Sequence, residues 1–233
     1  MPSAQEPLPF EVVVVPDLHG RLDALEAILA DSGFVGAKGQ LRKTALHLVQ
    51  LGDIVDRGTQ VRACVERLMA LQTAAPDRVH VLKGNHEALL VDSYTDPRTK
   101  MMWLANGGSA TLHDYEGRYE AWIAPGGRHH DWLASLPLTF EKHGILFCHA
   151  GLGRDRKGLL TEEGLLWDRP PLVRGPYQAV VCGHSPTHSG KVEEKEGVFA
   201  CDLGLGHGSE KGLEYLRLSI MPKSFTTVVK SIS

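Results

Sequence analysis

The chain has 233 residues, of which 42% are hydrophobic and 23% are charged, and its formal net charge is -3 at pH 7. This length and apolar content can form one large core, so we expect a single domain over residues 1–233. The slightly acidic balance argues against polymeric nucleic acid and against a charged membrane surface as partners. No apolar run approaches the roughly 20 residues of a membrane span, and no export signal is visible, so we expect a cytoplasmic protein.

Strand and helix patterns alternate in the first half of the chain. Apolar, β-branched runs predict strands at 11–16, 45–51 and 79–83, and apolar residues at helical spacing predict helices at 21–30 and 60–72. This alternation is typical of βαβ units, in which neighbouring strands are parallel.

The next segment, 88–136, differs in pattern from the first half. It contains short helical patches at 88–91, 100–105, 119–124 and 130–136, separated by glycines and polar turns. We interpret it as a helical insertion.

Strand patterns then return, punctuated by glycines. The predicted strands are 138–142, 145–148, 177–182, 198–202, 213–220 and 225–229, the last two as a terminal hairpin. The charged segment 191–197 is interpreted as a solvated turn. The four cysteines lie far apart and are expected to be buried free thiols.

Short polar motifs follow several of the apolar runs. They are Asp17-Leu18-His19-Gly20, Gly52-Asp53-Ile54-Val55-Asp56-Arg57-Gly58, Gly84-Asn85-His86-Glu87, His149-Ala150-Gly151 and Gly183-His184. Open α/β sheets place their sites at the carboxyl ends of strands, so we expect these loops to meet at one edge. Carboxylate, imidazole and carboxamide groups gathered there suit a pair of divalent cations. The pattern predicts a two-metal phosphoesterase.

The candidate metal ligands are Asp17, His19, Asp53, Asn85, His149 and His184. Two cations about 3.5–4 Å apart need an anionic ligand whose two oxygens can bridge them, and Asp53 is the candidate bridge. Asp17 and His19 can converge on one ion. The carboxamide oxygen of Asn85 and the nitrogens of the two later histidines suit the other ion.

Two side chains, Arg57 and His86, are candidates for catalytic work beyond metal binding. Bound divalent metal can lower the pKa of water from 15.7 to about 7, so a metal-bridging hydroxide could attack phosphorus directly without a protein nucleophile. Arg57 is the candidate donor to phosphate oxygens, because its guanidinium matches their geometry. His86 is the candidate general acid for the leaving group. Glu87 is better suited to stabilise the amino end of the following helix.

These motifs, in order and rough spacing, resemble those of the phosphoprotein phosphatase branch of the calcineurin-like metallophosphoesterases. That family includes Ser/Thr protein phosphatases and diadenosine tetraphosphatases. The resemblance covers about residues 12–202 and implies a mixed α/β sandwich of two β-sheets flanked by helices. In that fold, 88–136 would be a helical subregion beside the site.

The resemblance also implies roles for individual residues. It assigns metal binding to the six ligands named above, with Asn85 also near the substrate, and makes Asp56 the orienting partner of His86. A second phosphate-binding arginine is expected, for which Arg169 is our choice and Arg174 and Arg154 are alternatives. An acidic residue below the late histidine, Asp202 here, is expected to orient rather than to ligate.

The leading functional hypothesis is a dinuclear-metal-dependent phosphomonoesterase acting on phosphoserine or phosphothreonine in proteins. The alternative keeps the site but cleaves dinucleoside polyphosphates such as diadenosine tetraphosphate, and the segment 103–108 resembles bacterial members of both kinds. Manganese is expected from the resemblance, while Fe, Zn or Co also suit oxygen and nitrogen ligands. A nuclease, a cyclic phosphodiesterase and a non-catalytic metal-binding scaffold are further alternatives, and no ligand or acid is missing as a scaffold would predict.

Overall fold

The computed structural model describes residues 9–42, 44–116, 122–155, 158–208 and 212–232. The strands in these ranges are β1 Phe10–Val15, β2 His47–Gln50, β3 Val79–Val81, β4 Thr139–Lys142, β5 Ile145–Cys148, β6 Ala179–Cys182, β7 Glu193–Lys195, β8 Val198–Ala200, β9 Leu213–Met221 and β10 Ser224–Ile232. The helices are α1 Leu22–Asp31, α2 Val61–Ala74, α3 Asn85–Asp92, α4 Pro97–Trp103, α5 Ser109–Asp114, α6 Arg128–Ser135 and α7 Glu162–Trp167, with a π-helical turn at Leu104–Gly108 and a 3₁₀ turn at Leu205–His207.

The strands form two five-stranded mixed sheets. The first has the order β10-β9-β1-β2-β3, in which β1, β2 and β3 are parallel and β9 and β10 form an antiparallel hairpin against β1. The second has the order β4-β5-β6-β8-β7, with β5, β6 and β8 parallel and an antiparallel strand at each edge. This architecture confirms the predicted fold class.

Strand β1 of the first sheet is covered by apolar side chains on both of its faces. Val12 and Val14 belong to a buried cluster that also contains Phe147 and Val181 of the second sheet. Val13 belongs to a second cluster that contains the buried residues of α1 and α2. Because successive side chains of a strand point to opposite faces, an unbroken valine run suits a strand covered on both sides.

Some predicted elements differ from those in the structure. The segment 191–197, expected to be a turn, contains the edge strand β7, so that prediction was wrong. Its side chains are exposed while its backbone pairs with β8, and an edge strand of this kind carries no apolar pattern in sequence. Helix α3 begins at Asn85, inside a motif, rather than at the predicted residue 88. The helical patch predicted at 119–124 lies partly outside the described residues.

Two further expectations can be compared with the described part of the chain. The cysteines are buried and unpaired, as predicted. None of the described helices combines the length and the apolar content that a membrane crossing requires.

Candidate metal and phosphate-binding site

Polar loops follow the carboxyl ends of β1, β2, β3, β5 and β6, and backbone hydrogen bonds join them to one another. The amides of Leu18 and His19 both donate to the carbonyl of Asp53, at 3.0 and 2.8 Å. The amide of Gly183 donates to the carbonyl of His149 at 2.7 Å. The parallel strands therefore bring the motifs to one edge of the sandwich, as the sequence predicted.

Asp53 lies at the centre of this edge and is almost completely buried. Its Oδ2 is 3.4 Å from His19 Nε2, and its Oδ1 is 3.3 Å from His149 Nε2. Asp53 is thus shared by two groups of possible ligands, His19–Asp53–His86 and Asp53–His149–His184, in each of which the ligand atoms lie within 4.8 Å of one another. A carboxylate whose two oxygens face separate groups has the arrangement of a bridge between two cations.

Backbone carbonyls set the orientation of two of the imidazoles. His19 Nδ1 lies 2.9 Å from the carbonyl of Val55, and His149 Nδ1 lies 2.9 Å from the carbonyl of Leu51. A carbonyl can only accept, so each Nδ1 carries the proton and each Nε2 presents its lone pair to the cluster. This is how proteins prepare histidines for metal binding.

Asn85 contacts both histidines of the second ligand group. Its Oδ1 lies 2.8 Å from His149 Nε2 and 2.9 Å from His184 Nδ1. Among the described residues, His184 Nε2 is buried without a hydrogen-bond partner. The carboxamide oxygen and the two imidazoles of this group therefore converge on one point.

Asp17 contributes a buried carboxylate with unsatisfied capacity. Its Oδ2 accepts from the amide of His184 at 2.9 Å, whereas its Oδ1 has no partner among the described residues. Gly183 is required beside it, because a Cβ at that position would collide with the Asp17 carboxylate. Burial, followed by the charges of Asp202 and Asp53, raises the pKa of Asp17 well above its usual value. A divalent cation would relieve this surplus of negative charge.

The electrostatics of the histidines agree with that role. Burial is the main cause that lowers the pKa of both His19 and His184 to about 3. It favours the neutral imidazole, which is the form that binds metal. The donor set of carboxylate, carboxamide and neutral imidazole therefore fits a pair of divalent cations.

The backbone of these loops is strained at the residues that carry the chemistry. Five non-glycine residues of the site have positive φ: His19 43°, Asp53 54°, Asp56 73°, Arg57 66° and His184 64°. This region is unfavourable for residues with a Cβ and persists only where the surrounding structure enforces it. Its concentration here marks the edge as a functional site.

His86 is paired with a buried carboxylate, as the resemblance implied. His86 Nδ1 lies 2.7 Å from Asp56 Oδ2, and both side chains are almost completely inaccessible. Burial opposes the charged imidazolium, but Asp53 and then Asp56 outweigh it and raise the pKa of His86 above its ordinary value. The imidazole is therefore held through Nδ1, with Nε2 directed away from Asp56.

Arg57 lies against three imidazoles at the mouth of the site. Its Nη1 is 2.9 Å from His19 Nε2 and 3.0 Å from His207 Nε2, and its Nη2 is 3.0 Å from His86 Nε2. A cavity of about 440 Å³ opens here, lined by Asp53, Arg57, Asn85, His86, Asn106, Trp167, Arg169, His184, Pro186 and His207. The guanidinium of Arg57 and the imidazole of His86 thus line the same cavity.

The lining of the cavity distinguishes among the three arginines proposed for a second phosphate contact. Arg169 lines it. Arg174 instead donates to the carbonyl of Tyr177 at 2.6 Å, and Arg154 donates to the carbonyl of Gly158. Neither of these two arginines is among the described residues that line the cavity.

Sequence reasoning missed several contributors to the site. His207 follows no catalytic motif and is exposed, so no signal in the sequence pointed to its contact with Arg57. Trp103 and Thr111, both in the insertion, donate hydrogen bonds to the Asp56 carboxylate. The only signal in the sequence was the tryptophan itself, because a buried tryptophan usually has a hydrogen-bond partner. Asp202, by contrast, was expected from the resemblance as an orienting residue; it is buried, and its Oδ1 accepts from the amide of Gly204 at 2.8 Å.

Glu87 does more than stabilise the start of α3. Its Oε2 accepts from the amides of Gly84 and Asp53, each at 2.8 Å, and its Oε1 accepts from those of Ile54 and Val55 at 2.8 and 3.1 Å. One buried carboxylate therefore joins two of the loops that carry site residues.

A second groove, of about 240 Å³, adjoins the cavity through Trp167, which lines both. Its walls combine apolar and acidic side chains: Ala88, Leu89, Asp92, Thr99, Met102, Glu162, Glu163, Leu166 and Trp167. The groove thus lies among α3, α4 and α7 and shares Trp167 with the cavity.

Comparison with known proteins supplies a family for this arrangement. A model described as calcineurin-like phosphoesterase matches residues 10–208. Shewanella-like protein phosphatase 1 of Plasmodium berghei (strain Anka) is 30% identical over 148 residues, covering 61% of this chain and 39% of that protein. Serine/threonine-protein phosphatase BSL2 of Arabidopsis thaliana is 32% identical over 191 residues, covering 71% of this chain and 18% of that protein. The chain therefore spans less than half the length of these relatives.

Solved structures share the fold at lower identity. A cold-active protein tyrosine phosphatase superposes with a TM-score of 0.63 at 19% identity, covering 97% of this chain and 80% of that one. A candidate diadenosine tetraphosphatase superposes with a TM-score of 0.61 at 19% identity, covering 98% of this chain and 96% of that one. At this identity the likeness concerns the fold alone.

Proposed function

The chain belongs to the calcineurin-like phosphoesterase family, and from this premise we propose that it is a dinuclear-metal-dependent phosphomonoesterase acting on phosphoserine or phosphothreonine in proteins. The observation that carries the proposal is the position of Asp53, shared by two ligand groups beside a cavity that Arg57 and His86 also line. The serine/threonine-protein phosphatase among the relatives supports this choice of substrate.

The chain's own residues divide the chemistry between them. Two divalent cations, when bound, would activate water and polarise the phosphoryl group. Asp17, His19, Asp53, Asn85, His149 and His184 would hold them. Arg57 and Arg169 would bind the phosphoryl oxygens, since charge develops on these oxygens in the transition state. His86 would protonate the departing alkoxide oxygen through Nε2, because Nδ1 is engaged by Asp56 at 2.7 Å.

The groove beside the cavity favours a protein substrate over a dinucleotide. Its charged lining residues are Asp92, Glu162 and Glu163, all acidic. A polyphosphate chain or a second nucleotide phosphate extending along this groove would meet carboxylates of like charge. A peptide with basic side chains next to the phosphorylated residue would meet complementary charge, and its apolar side chains could contact Leu89 and Leu166.

The test compares kcat/KM for three substrates, with metal-stripped protein reloaded with Mn²⁺. They are a phosphoserine peptide with lysines beside the phosphoserine, the same peptide with glutamates there, and diadenosine tetraphosphate. We expect the order lysine peptide, glutamate peptide, dinucleotide. A preference for the dinucleotide would transfer the function to nucleotide hydrolysis by the same site, and activity on none of the three would contradict the phosphatase proposal.

Two finer points belong to the same proposal. Manganese is the expected metal, although the oxygen and nitrogen donors admit Fe, Zn or Co as well. A phosphorylated cytoplasmic protein is the expected partner. Metal analysis of protein purified without added metal and localisation of a fluorescent fusion would test these two expectations.

A further inference from the structure

We propose that Trp103 and Thr111, on the two helices that flank the kink of the insertion, are positioning residues for proton donation by His86. They would act through Asp56, by holding its carboxylate in the one orientation that directs His86 Nε2 into the cavity. This inference rests on the proposed function, because it concerns the protonation of the leaving group by the same site.

The carboxylate of Asp56 is fully buried and surrounded by donors. Trp103 Nε1 lies 3.0 Å from both of its oxygens, and Thr111 Oγ1 donates to Oδ1 at 2.6 Å. His86 Nδ1 lies 2.7 Å from the other oxygen of Asp56, Oδ2. Thr111 Oγ1 also accepts from the amide of Asp56 at 3.0 Å, so this hydroxyl holds both the backbone and the side chain of one residue.

The chemistry of these two donors suits a positioning role. Both are neutral, so they can satisfy and orient the carboxylate without neutralising its charge. A cation in either place would compete with the imidazolium of His86 for that charge. Both side chains are completely buried, which excludes water from the same positions and leaves the carboxylate no alternative partner there.

The shape of the insertion brings the two donors together. Trp103 ends α4 and Thr111 lies on α5, and the chain between these two helices kinks at Gly107, whose φ is 109°. The kink faces Arg57: the carbonyl of Gly107 accepts from the Arg57 amide at 3.2 Å, and a Cβ at Gly107 would lie 2.6 Å from Arg57 Cγ. The same segment therefore supports both the carboxylate of Asp56 and the phosphate-binding arginine next to it.

The experiment measures how strongly the rate depends on the leaving group. The 233-residue chain loaded with Mn²⁺ is assayed with p-nitrophenyl phosphate, whose leaving group hardly needs a proton, and with phenyl phosphate, whose more basic leaving group does. The variants are Trp103→Phe and Thr111→Val, with His86→Asn as the reference for complete loss of the acid. Thr111→Ser restores the hydroxyl. Trp132→Phe is the matched control, because its indole N–H bonds Gln72 Oε1 at 2.8 Å, away from the cavity.

We expect Trp103→Phe and Thr111→Val to lower kcat for phenyl phosphate by roughly tenfold to a hundredfold, with a change of less than about threefold for p-nitrophenyl phosphate. His86→Asn should show the same selectivity with a larger loss. Thr111→Ser and Trp132→Phe should behave like the wild type. KM for both esters should change little, since Asp56 is buried away from the phosphate.

Equal losses on the two esters, or no loss in either variant, would overturn the positioning role while leaving the proposed phosphatase activity intact. A Thr111→Ser variant as selective as Thr111→Val would also overturn it, because the hydroxyl would then be irrelevant. Wild-type protein inactive on both esters would contradict the proposed function itself, and with it the role inferred here. If one variant does not fold, the other tests the same carboxylate independently.

Discussion

The Glu87 carboxylate accepts a hydrogen bond from the backbone amide of Asp53 at 2.8 Å, and so connects the start of α3 to the loop that carries the central residue of the site. Replacing Glu87 by glutamine keeps the shape of the side chain, but one carboxylate oxygen becomes an NH₂ group, which cannot accept hydrogen bonds from the backbone amides. We expect Glu87→Gln to lower the free energy of unfolding by about 2–3 kcal/mol, because buried amides lose their acceptor. Urea denaturation of the metal-free protein measures this, and the exposed Glu141→Gln should change it by less than about 0.5 kcal/mol. A neutral effect of Glu87→Gln would contradict the structural role.

Asp53→Asn should remove the shared ligand of both metal groups. We expect loss of one or both metals, and a fall in turnover beyond the roughly 10- to 100-fold typical of substitutions outside the ligand set. Metal content by mass spectrometry, measured together with activity, tests this directly. The exposed Asp77→Asn is the control. A variant that keeps two metals and near-wild-type turnover would remove Asp53 from the bridging position.

Arg169 and Arg174 form a matched pair for the second phosphate contact. Arg169 lines the cavity, while Arg174 donates to the carbonyl of Tyr177 at 2.6 Å. We expect Arg169→Ala to lower kcat/KM by roughly tenfold to a hundredfold, the worth of a charge-assisted hydrogen bond, and Arg174→Ala to leave it nearly unchanged. Inhibition by inorganic phosphate should weaken in the first variant alone. The opposite result would move the phosphate contact to Arg174.

His129 makes the stability of the insertion sensitive to pH. Its Nδ1 lies 2.7 Å from the hydroxyl oxygen of Tyr115. Burial, and then the charges of Arg128 and Arg62, lower the pKa of His129 to about 4. A group whose pKa is depressed by folding stabilises the protein above its unfolded pKa, and this stabilisation is lost as the pH falls from there towards the folded value.

The stability advantage of the wild type over His129→Gln should therefore shrink by about 2 kcal/mol between about pH 7.5 and about pH 5. Urea unfolding of both proteins across this range measures the difference, which cancels the contributions of other titrating groups. A constant difference between wild type and His129→Gln would contradict the depressed pKa.

The elements best predicted from the sequence were those with a strong apolar pattern. The valine run of β1 and the apolar spacing in α1 were recognised because burial on one or two faces leaves a period in the sequence. The edge strand β7 was missed because its side chains are solvated and only its backbone pairs. The start of α3 was placed late because Asn85 and His86 look like loop residues, while the structure uses the first turn of the helix to carry them.

The sequence by itself determined the kind of chemistry: carboxylates, imidazoles and a carboxamide placed after apolar strands, with Arg57 and His86 between them. The carboxyl ends of parallel strands lie at the same edge of a sheet, so this conclusion needed only the order of the motifs and the periodicity of the strands. Only the tertiary structure decided that Arg169 rather than Arg174 lines the cavity, that His207 lies against Arg57, and that Trp103 and Thr111 hold Asp56. These contacts join residues distant in sequence through a kinked insertion, and their hydrogen bonds depend on distance and direction, which no periodicity encodes.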